Sequence, residues 1–334
     1  MHDSFGGYKV LERVGAGGKA EVFRARDTRA GRTAAVKVLT SELAVDPVAG
    51  RPFVDDAYAA ATLGHPNAAA LYEIGEQDGR PYLVYEYVQG QSLKALLGGH
   101  PINPRRALEF ATQIADALAD AHAHGIIHRA LRPEKVLVSQ KGTAKVIDFG
   151  LGHYATAVAR QQQTVAGKPA AAMSYWAPEQ RDGLGDQQSD IYALGLILLE
   201  MLTGQPPTPD GQPPPLNGLA SSTQARLAPL VTRMLAADPG QRVTSAATVA
   251  AEFRDAIHAL DEGRDSPAST TGPMPAPDTW GPTRRAAALS TQSTMPPRSQ
   301  RSAVRDGDGS RGAPWLIGAL IVAVVLVIWL ALRA

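Results

Sequence analysis

The chain has 334 residues, a net charge of +1, 44% hydrophobic residues and 19% charged residues. This length accommodates one domain of about 250 residues plus tails, and the nearly neutral charge argues against a nucleic-acid partner. Because the chain contains no cysteine, disulfide bonds, cysteine-ligated zinc and a thiol nucleophile are all excluded.

Residues 8–260 have the pattern of a folded domain that begins with short strands and continues with helices. Alternating and β-branched segments predict strands over 8–14, 21–27, 33–39, 71–76 and 82–85. Longer amphipathic segments predict helices over 92–97, 104–124, 189–203, 223–236 and 245–260. The segment 205–220 is too rich in Pro and Gly for a helix. We therefore predict an α+β fold with a sheet-rich lobe followed by a helical lobe.

The C-terminal part of the chain has a different composition. Residues 261–313 are rich in Pro, Ser, Thr, Gly and Arg, which predicts a disordered linker. A transmembrane helix is predicted over 314–332, where residues 315–332 carry no charge and would span about 27 Å as a helix; a buried core helix is the alternative. Arginines before this run outnumber the one after it, which predicts a single-pass, tail-anchored protein of the inner membrane with its domain in the cytoplasm. Two small residues four positions apart in this run would allow a dimer.

Four short motifs occur in order along the folded domain. Gly15, Gly17 and Gly18 lie between two predicted strands, where glycine lets backbone amides approach phosphate oxygens. Lys37 ends the strand segment A-A-V-K, and Asp148 begins D-F-G. Between these two lies the run H-R-A-L-R-P-E-K over residues 128–135. Together the motifs resemble the glycine-rich loop, the strand lysine, the catalytic loop and the magnesium-binding motif of protein kinases.

The resemblance is closest to bacterial membrane-anchored serine/threonine protein kinases. It implies a bilobal kinase-like fold that binds ATP or ADP with Mg²⁺ at Asp148. It also implies a set of nucleotide-binding residues, namely Val14, Gly15, Gly17, Gly18, Val22, Ala35, Lys37, Glu86, Val88, Leu137 and Asp148. The scaffold residues that it implies are His128, Arg129, Glu179, Asp190 and Arg242, with Glu179 and Arg242 forming a pair.

The sequence departs from the family pattern at catalytic positions. Ala130 replaces the aspartate that accepts the substrate hydroxyl proton, and Lys135 replaces the asparagine that holds the second Mg²⁺. The Lys135 ammonium could bind nucleotide phosphates, or it could pair with Asp148 and close the site to metal. Asp56 stands where the family has the glutamate that pairs with the strand lysine, which predicts a Lys37–Asp56 pair. Because aspartate is shorter by one methylene, the pair would need the helix about 1 Å closer or would form through water; an exposed acid on a helix face is the alternative.

These departures predict a membrane-tethered pseudokinase, in which no catalytic residue is intact. It would bind nucleotide and act as a scaffold or allosteric regulator of protein partners, such as an active kinase or a membrane complex. A weakly active serine/threonine kinase is the alternative, because phosphoryl transfer depends only modestly on a general base. A collapsed, empty pocket is a third hypothesis. Thr164, in the segment after D-F-G, could accept a phosphate.

Overall fold

A computed structural model describes residues 3–17, 20–40, 50–166 and 171–265 of the chain. These residues belong to a unit that covers Met1–Thr270, and a second unit covers Thr271–Ala334. Gly18, most of the predicted linker and the predicted transmembrane helix over 314–332 lie outside the described residues. Among the described residues, no helix is long and apolar enough to cross a membrane.

A six-stranded antiparallel sheet forms the N-terminal lobe, in the spatial order β1-β2-β3-β4-β6-β5. The strands are β1 Ser4–Phe5, β2 Tyr8–Gly17, β3 Ala20–Asp27, β4 Thr33–Leu39, β5 Leu71–Gln77 and β6 Arg80–Glu86, and helix α1 is Gly50–Ala60. Successive side chains of a strand point to opposite faces. On β4, Val36 and Val38 are buried on one face, so Lys37 lies on the other, where Ala35 and Leu39 pack toward α1.

Helices build the C-terminal lobe. They are α2 Leu93–Leu97, α3 Pro104–Ala123, α4 Gly152–Ala166, α5 Pro178–Arg181, α6 Gln187–Thr203, α7 Ser221–Met234 and α8 Ala246–Asp265. Pro104 occupies the first turn of α3, and the Asn103 side chain caps that helix by accepting a hydrogen bond from the Arg105 amide at 3.0 Å. Helix α6 is buried along almost its entire length and ends at Gly204 in the left-handed conformation.

A second, three-stranded sheet lies beside α2 and α3. Its strands are β7 Gly90–Ser92, β8 Val136–Ser139 and β9 Ala144–Val146, paired in the order β7-β8-β9. The segment 128–135 leads into β8, and the D-F-G motif follows β9. The antiparallel pairing of β8 with β9, which opposes Val136 to Val146, therefore brings Lys135 close to Asp148.

The predicted two-lobed α+β class is confirmed, and each predicted strand and helix corresponds to an observed element. Residues 205–220 contain no helix, as predicted. Helix α8 continues to Asp265, past residue 260 where the predicted domain ends, and the Arg105 guanidinium contacts Asp261 at 2.9 Å. Helix α4, which directly follows the D-F-G motif, was not predicted.

Candidate functional site

The backbone of the segment 128–135 is held by a buried carboxylate. Asp190, on α6, is 1% exposed and accepts hydrogen bonds from the backbone amides of His128 and Arg129, both at 2.8 Å. The imidazole of His122 lies 2.9 Å from the same carboxylate. These bonds accompany a left-handed conformation at Arg129, with φ 57°, which costs energy for a residue with a side chain. The scaffold therefore fixes the loop although Ala130 carries no catalytic group.

The imidazole of His128 connects this loop to the D-F-G motif. Its Nε2 lies 3.0 Å from the carbonyl oxygen of Ile147, and its ring packs edge-on against Phe149 with 5.0 Å between centroids. Burial lowers the pKa of His128, which keeps the ring neutral at physiological pH. The contact sets the position of Asp148 relative to the loop.

Asp148 binds two lysines at once. The Lys37 ammonium lies 2.9 Å from its Oδ2, and the Lys135 ammonium donates a hydrogen bond to the same oxygen. Burial acts to raise the pKa of Asp148, but the charges of Lys135 and Lys37 outweigh it and hold that pKa far below its usual range. Burial, together with the charge of Lys135, lowers the pKa of Lys37 to about 8 despite the attraction of Asp148. Of the two roles predicted for Lys135, the structure contains the pairing with Asp148.

The predicted pair between Lys37 and Asp56 is corrected by the structure. Asp56 accepts hydrogen bonds from the backbone amide of His153 at 3.0 Å and from its ring Nδ1 at 2.7 Å, whereas Lys37 pairs with Asp148. His153 lies in the first turn of helix α4, which packs against α1, and Phe53 meets Tyr154 edge-on with 5.2 Å between ring centroids. Helix α4 thus provides the partner that Asp56 was predicted to find on β4.

Gly150 permits this close packing. Its φ is +73°, and a Cβ added there would lie 2.5 Å from the Cβ of Ala60 and 2.6 Å from the carbonyl oxygen of Asp56. No side chain fits at that distance. The glycine of D-F-G therefore allows α1 to lie directly on the motif.

A cavity of about 270 Å³ opens beside these charges, and we call it the Lys135 cavity. Ala130 lines it, so the cavity includes the place where a kinase aspartate would stand. Its wall carries three cationic side chains and one carboxylate, with apolar residues opposite. The lining includes Lys37, Ala130, Arg132, Lys135, Asp148, Tyr154, Ala171, Ala172 and Trp176.

The other residues predicted to bind nucleotide lie on the strands of the N-terminal sheet and on the chain that continues from it, and they do not line the Lys135 cavity. Val14 lies on β2, Val22 on β3 and Ala35 on β4. Glu86 ends β6, Val88 follows it on the connection to β7, and Leu137 lies on β8. Gly15 pairs with Val22, and Gly17 pairs with Ala20, because β2 and β3 remain hydrogen-bonded through the glycine segment. Glu86 forms an ion pair with Lys145 at 2.8 Å.

Sequence reasoning missed two residues, Arg132, which lines the Lys135 cavity, and Tyr85. Tyr85 lies opposite Ala35 in the β4–β6 pairing and is 6% exposed. Its hydroxyl has no hydrogen-bond partner among the described residues, and burial raises its pKa. The alternation of β6 was a usable signal for Tyr85, because Leu83, two positions earlier, packs on the same face.

The remaining scaffold residues form one buried ion pair. Arg242 is fully buried and contacts Glu179 through two parallel bonds, Nη1 to Oε1 at 2.6 Å and Nη2 to Oε2 at 2.7 Å. Ser189 donates a further bond to Glu179 at 2.7 Å. A bidentate geometry of this kind is among the stronger side-chain contacts, and it joins α5 to α6 and to the segment before α8.

The protein has a sheet lobe and a helical lobe, and its site combines a strand lysine, a D-F-G aspartate and a catalytic-loop scaffold. This arrangement defines a kinase-like domain. The model of the protein kinase domain family matches residues 8–254, which is most of the chain. The chain belongs to the protein kinase family.

Its similar relatives are bacterial serine/threonine-protein kinases. Over 60% of this chain it is 40% identical to PrkC of Bacillus subtilis, covering 31% of that protein. Over 96% of this chain it is 35% identical to PknB of Mycolicibacterium smegmatis, covering 53% of that protein. The chain thus spans about a third to a half of the length of these relatives. The crystal structure of the PknI kinase domain of Mycobacterium tuberculosis superposes with a TM-score of 0.63 at 28% identity, over 76% of this chain and 97% of that one.

The family generally uses ATP and Mg²⁺, but the residues of this cavity do not fit the metal. Mg²⁺ needs oxygen ligands in an octahedral arrangement. Oδ2 of Asp148 already accepts from two ammonium groups, and Lys135 offers a positive charge where the family pattern has an oxygen ligand. The lining favours an anion over a divalent cation.

Proposed function

We propose that this chain is a pseudokinase that binds nucleotide and acts through protein partners. The observation that carries the proposal is the ion pair of Lys135 with Asp148. It occupies the carboxylate that a kinase uses for metal, in a site where Ala130 supplies no proton acceptor. A general base contributes about 10²–10⁴ in rate, and the metal ions neutralise the charge that develops on the transferred phosphoryl group. Loss of both groups should leave little phosphoryl transfer.

The retained scaffold supports a binding role. The buried contacts of Asp190 with the loop 128–135 and of Arg242 with Glu179 keep the shape of a kinase C-terminal lobe. Lys37, which grips nucleotide phosphates in the family, remains in the cleft. An allosteric regulator needs two conformational states that its ligand binds with different affinity, because only that difference shifts the affinity for a partner. A kinase-like domain whose state changes when nucleotide binds would meet this requirement.

We further propose that the chain is anchored in a membrane by the apolar run at residues 315–332. The excess of arginine before that run supports a cytoplasmic position for the kinase-like domain. In that arrangement the partners would be an active kinase or a membrane complex close to the inner face of the bilayer. A dimer formed through the apolar helix is part of this proposal.

A weak serine/threonine kinase is the second candidate. Two observations favour it: the relatives named above are serine/threonine kinases, and Lys37 and Asp148 are retained. Phosphoryl transfer passes through a loose transition state in which positioning and charge matter more than a base. Nucleotide binding alone therefore does not separate the two candidates.

The discriminating experiment is transfer of radiolabelled phosphate from ATP. The wild-type chain is compared with the Ala130→Asp, Lys135→Asn double variant, which restores both family residues. We expect labelling only in the double variant, and the control Lys141→Asn, on an exposed turn, should behave as wild type. Labelling by the wild type at the rate of the double variant would refute the pseudokinase proposal and support the weak kinase.

A further inference from the structure

The charge of the Lys135 cavity is unbalanced. Two ammonium groups, Lys37 and Lys135, share one oxygen of Asp148, so within the described part of the chain one positive charge is left without a paired carboxylate. Arg132 lines the same cavity, and its guanidinium lies 3.5 Å from Glu134, which offsets its charge. Even when that pair is counted as neutral, the cavity retains an excess of positive charge.

The excess cation lies where phosphate groups of a nucleotide would approach. Lys37 is the family's phosphate-gripping lysine, and Lys135 is tied to the same carboxylate oxygen, so the two ammonium groups are close together. Both are largely buried, with 11% and 20% of the side chain exposed. Charges in such a partly desolvated place interact more strongly than charges on the surface. Ala130 also lines the cavity and adds no competing carboxylate.

We propose that the Lys135 ammonium replaces magnesium, so that the cavity binds nucleotide polyphosphate without a divalent cation and Mg²⁺ weakens that binding. The proposal rests on the proposed nucleotide-binding function and adds the ionic form of the ligand. It follows from charge: bound Mg²⁺ cancels two negative charges of the nucleotide, which lowers the attraction of the two ammonium groups for it. Added Mg²⁺ would also compete with two ammonium groups for Asp148, whose Oδ2 already pairs with both.

The test is isothermal titration calorimetry of ATP into the purified full chain, once with EDTA and once with excess Mg²⁺. We expect binding about tenfold tighter in EDTA, the effect of roughly one charge-assisted contact. ATP binding only in the presence of Mg²⁺ would overturn the inference and leave the nucleotide-binding function intact. An absence of ATP binding under both conditions would overturn both.

Two variants assign the effect to these side chains. Lys135→Asn should weaken binding in EDTA about tenfold, whereas the matched control Lys141→Asn should not change it; unchanged binding by Lys135→Asn would overturn the proposal. Asp148→Asn removes the carboxylate that competes for both ammonium groups. We expect it to tighten binding in EDTA. A site that depends on metal would instead lose its binding in this variant, which would contradict the replacement of Mg²⁺ by Lys135.

Discussion

Replacement of Lys135 by methionine removes one of the two ammonium groups that share Asp148 and should change the titration of the other. Lys37 lies 2.9 Å from Oδ2 of Asp148, and Lys135 contacts the same oxygen. At a separation of roughly 5 Å and an effective dielectric constant of about 20, two unit charges repel by about 3 kcal/mol. That energy corresponds to about two units in the pKa of Lys37.

The sign follows from the environment of Lys37. Burial lowers its pKa, Asp148 raises it and Lys135 lowers it further, to about 8. In Lys135→Met this repulsion is absent, and Lys37 is the only one of the two lysines that still pairs with Asp148. We expect the pKa of Lys37 to rise from about 8 toward its ordinary value of 10.5.

The assay is NMR of the chain after reductive ¹³C-methylation of its lysines, with the Lys37 signal assigned from Lys37→Arg and followed over pH. Lys141→Met is the control, because that residue lies on an exposed turn. Titration of Lys37 at the wild-type pH in folded Lys135→Met would show that the two ammonium groups are not coupled, and the account of the cavity charge would be wrong.

Three other substitutions test the contacts that hold the site. Glu179→Gln leaves the buried Arg242 without a charged partner, which typically costs about 3–5 kcal/mol and should lower Tm. Burial acts to raise the pKa of Glu179, but the hydrogen bonds from Arg242 outweigh it and keep that pKa below its ordinary value. The stabilisation from this pair is therefore complete above the ordinary carboxyl pKa and is lost as pH falls through the lower pKa of the folded state. The stability of Glu179→Gln should fall less than that of the wild type as pH is lowered. An equal fall in both proteins would contradict the pairing. His153→Ala removes a side-chain hydrogen bond to Asp56 worth about 1 kcal/mol, so the rate of amide hydrogen exchange in α4 should rise about fivefold. An unchanged rate would show that the contact does not hold α4. Gly150→Ala places a Cβ 2.6 Å from the carbonyl of Asp56 and should lower Tm and displace α1, whereas a Tm equal to wild type would show that this packing is not tight.

The strands and helices could be predicted because their signals are local. The alternation of β4 identifies the face of Lys37, and Asn103 with Pro104 marks the start of α3. Helix α4 also had a local signal, since Leu151, Tyr154 and Val158 are spaced by three and four residues and are all buried. Its place between the lobes depends on packing against α1, which no local pattern contains.

The pairing of charges was the part that sequence alone could not determine. Asp56 and Asp148 were both available to Lys37, and Asp148 or nucleotide phosphates to Lys135, and residue identity does not rank these partners. Lys37 pairs with Asp148 because α4 already supplies His153 to Asp56. Lys135 reaches Asp148 because β8 and β9 pair directly beside it. The partners of Lys37 and Asp56 thus depend on elements that are far apart in the chain, whereas the pair of Lys135 with Asp148 depends on two consecutive strands and was one of the two roles predicted for Lys135.

The two departures at the catalytic loop both change the net charge of the Lys135 cavity. Alanine in place of aspartate at position 130 and lysine in place of asparagine at position 135 each make the cavity one charge more positive than the family pattern. Ala130→Asp alone would therefore leave Lys135 on Asp148, and the new carboxylate would become a second partner for an ammonium group close to it. We expect this single variant to remain inactive in the radiolabelled transfer assay, and activity to require Lys135→Asn as well. Full labelling by Ala130→Asp alone would show that the ion pair at Asp148 is no obstacle to phosphoryl transfer.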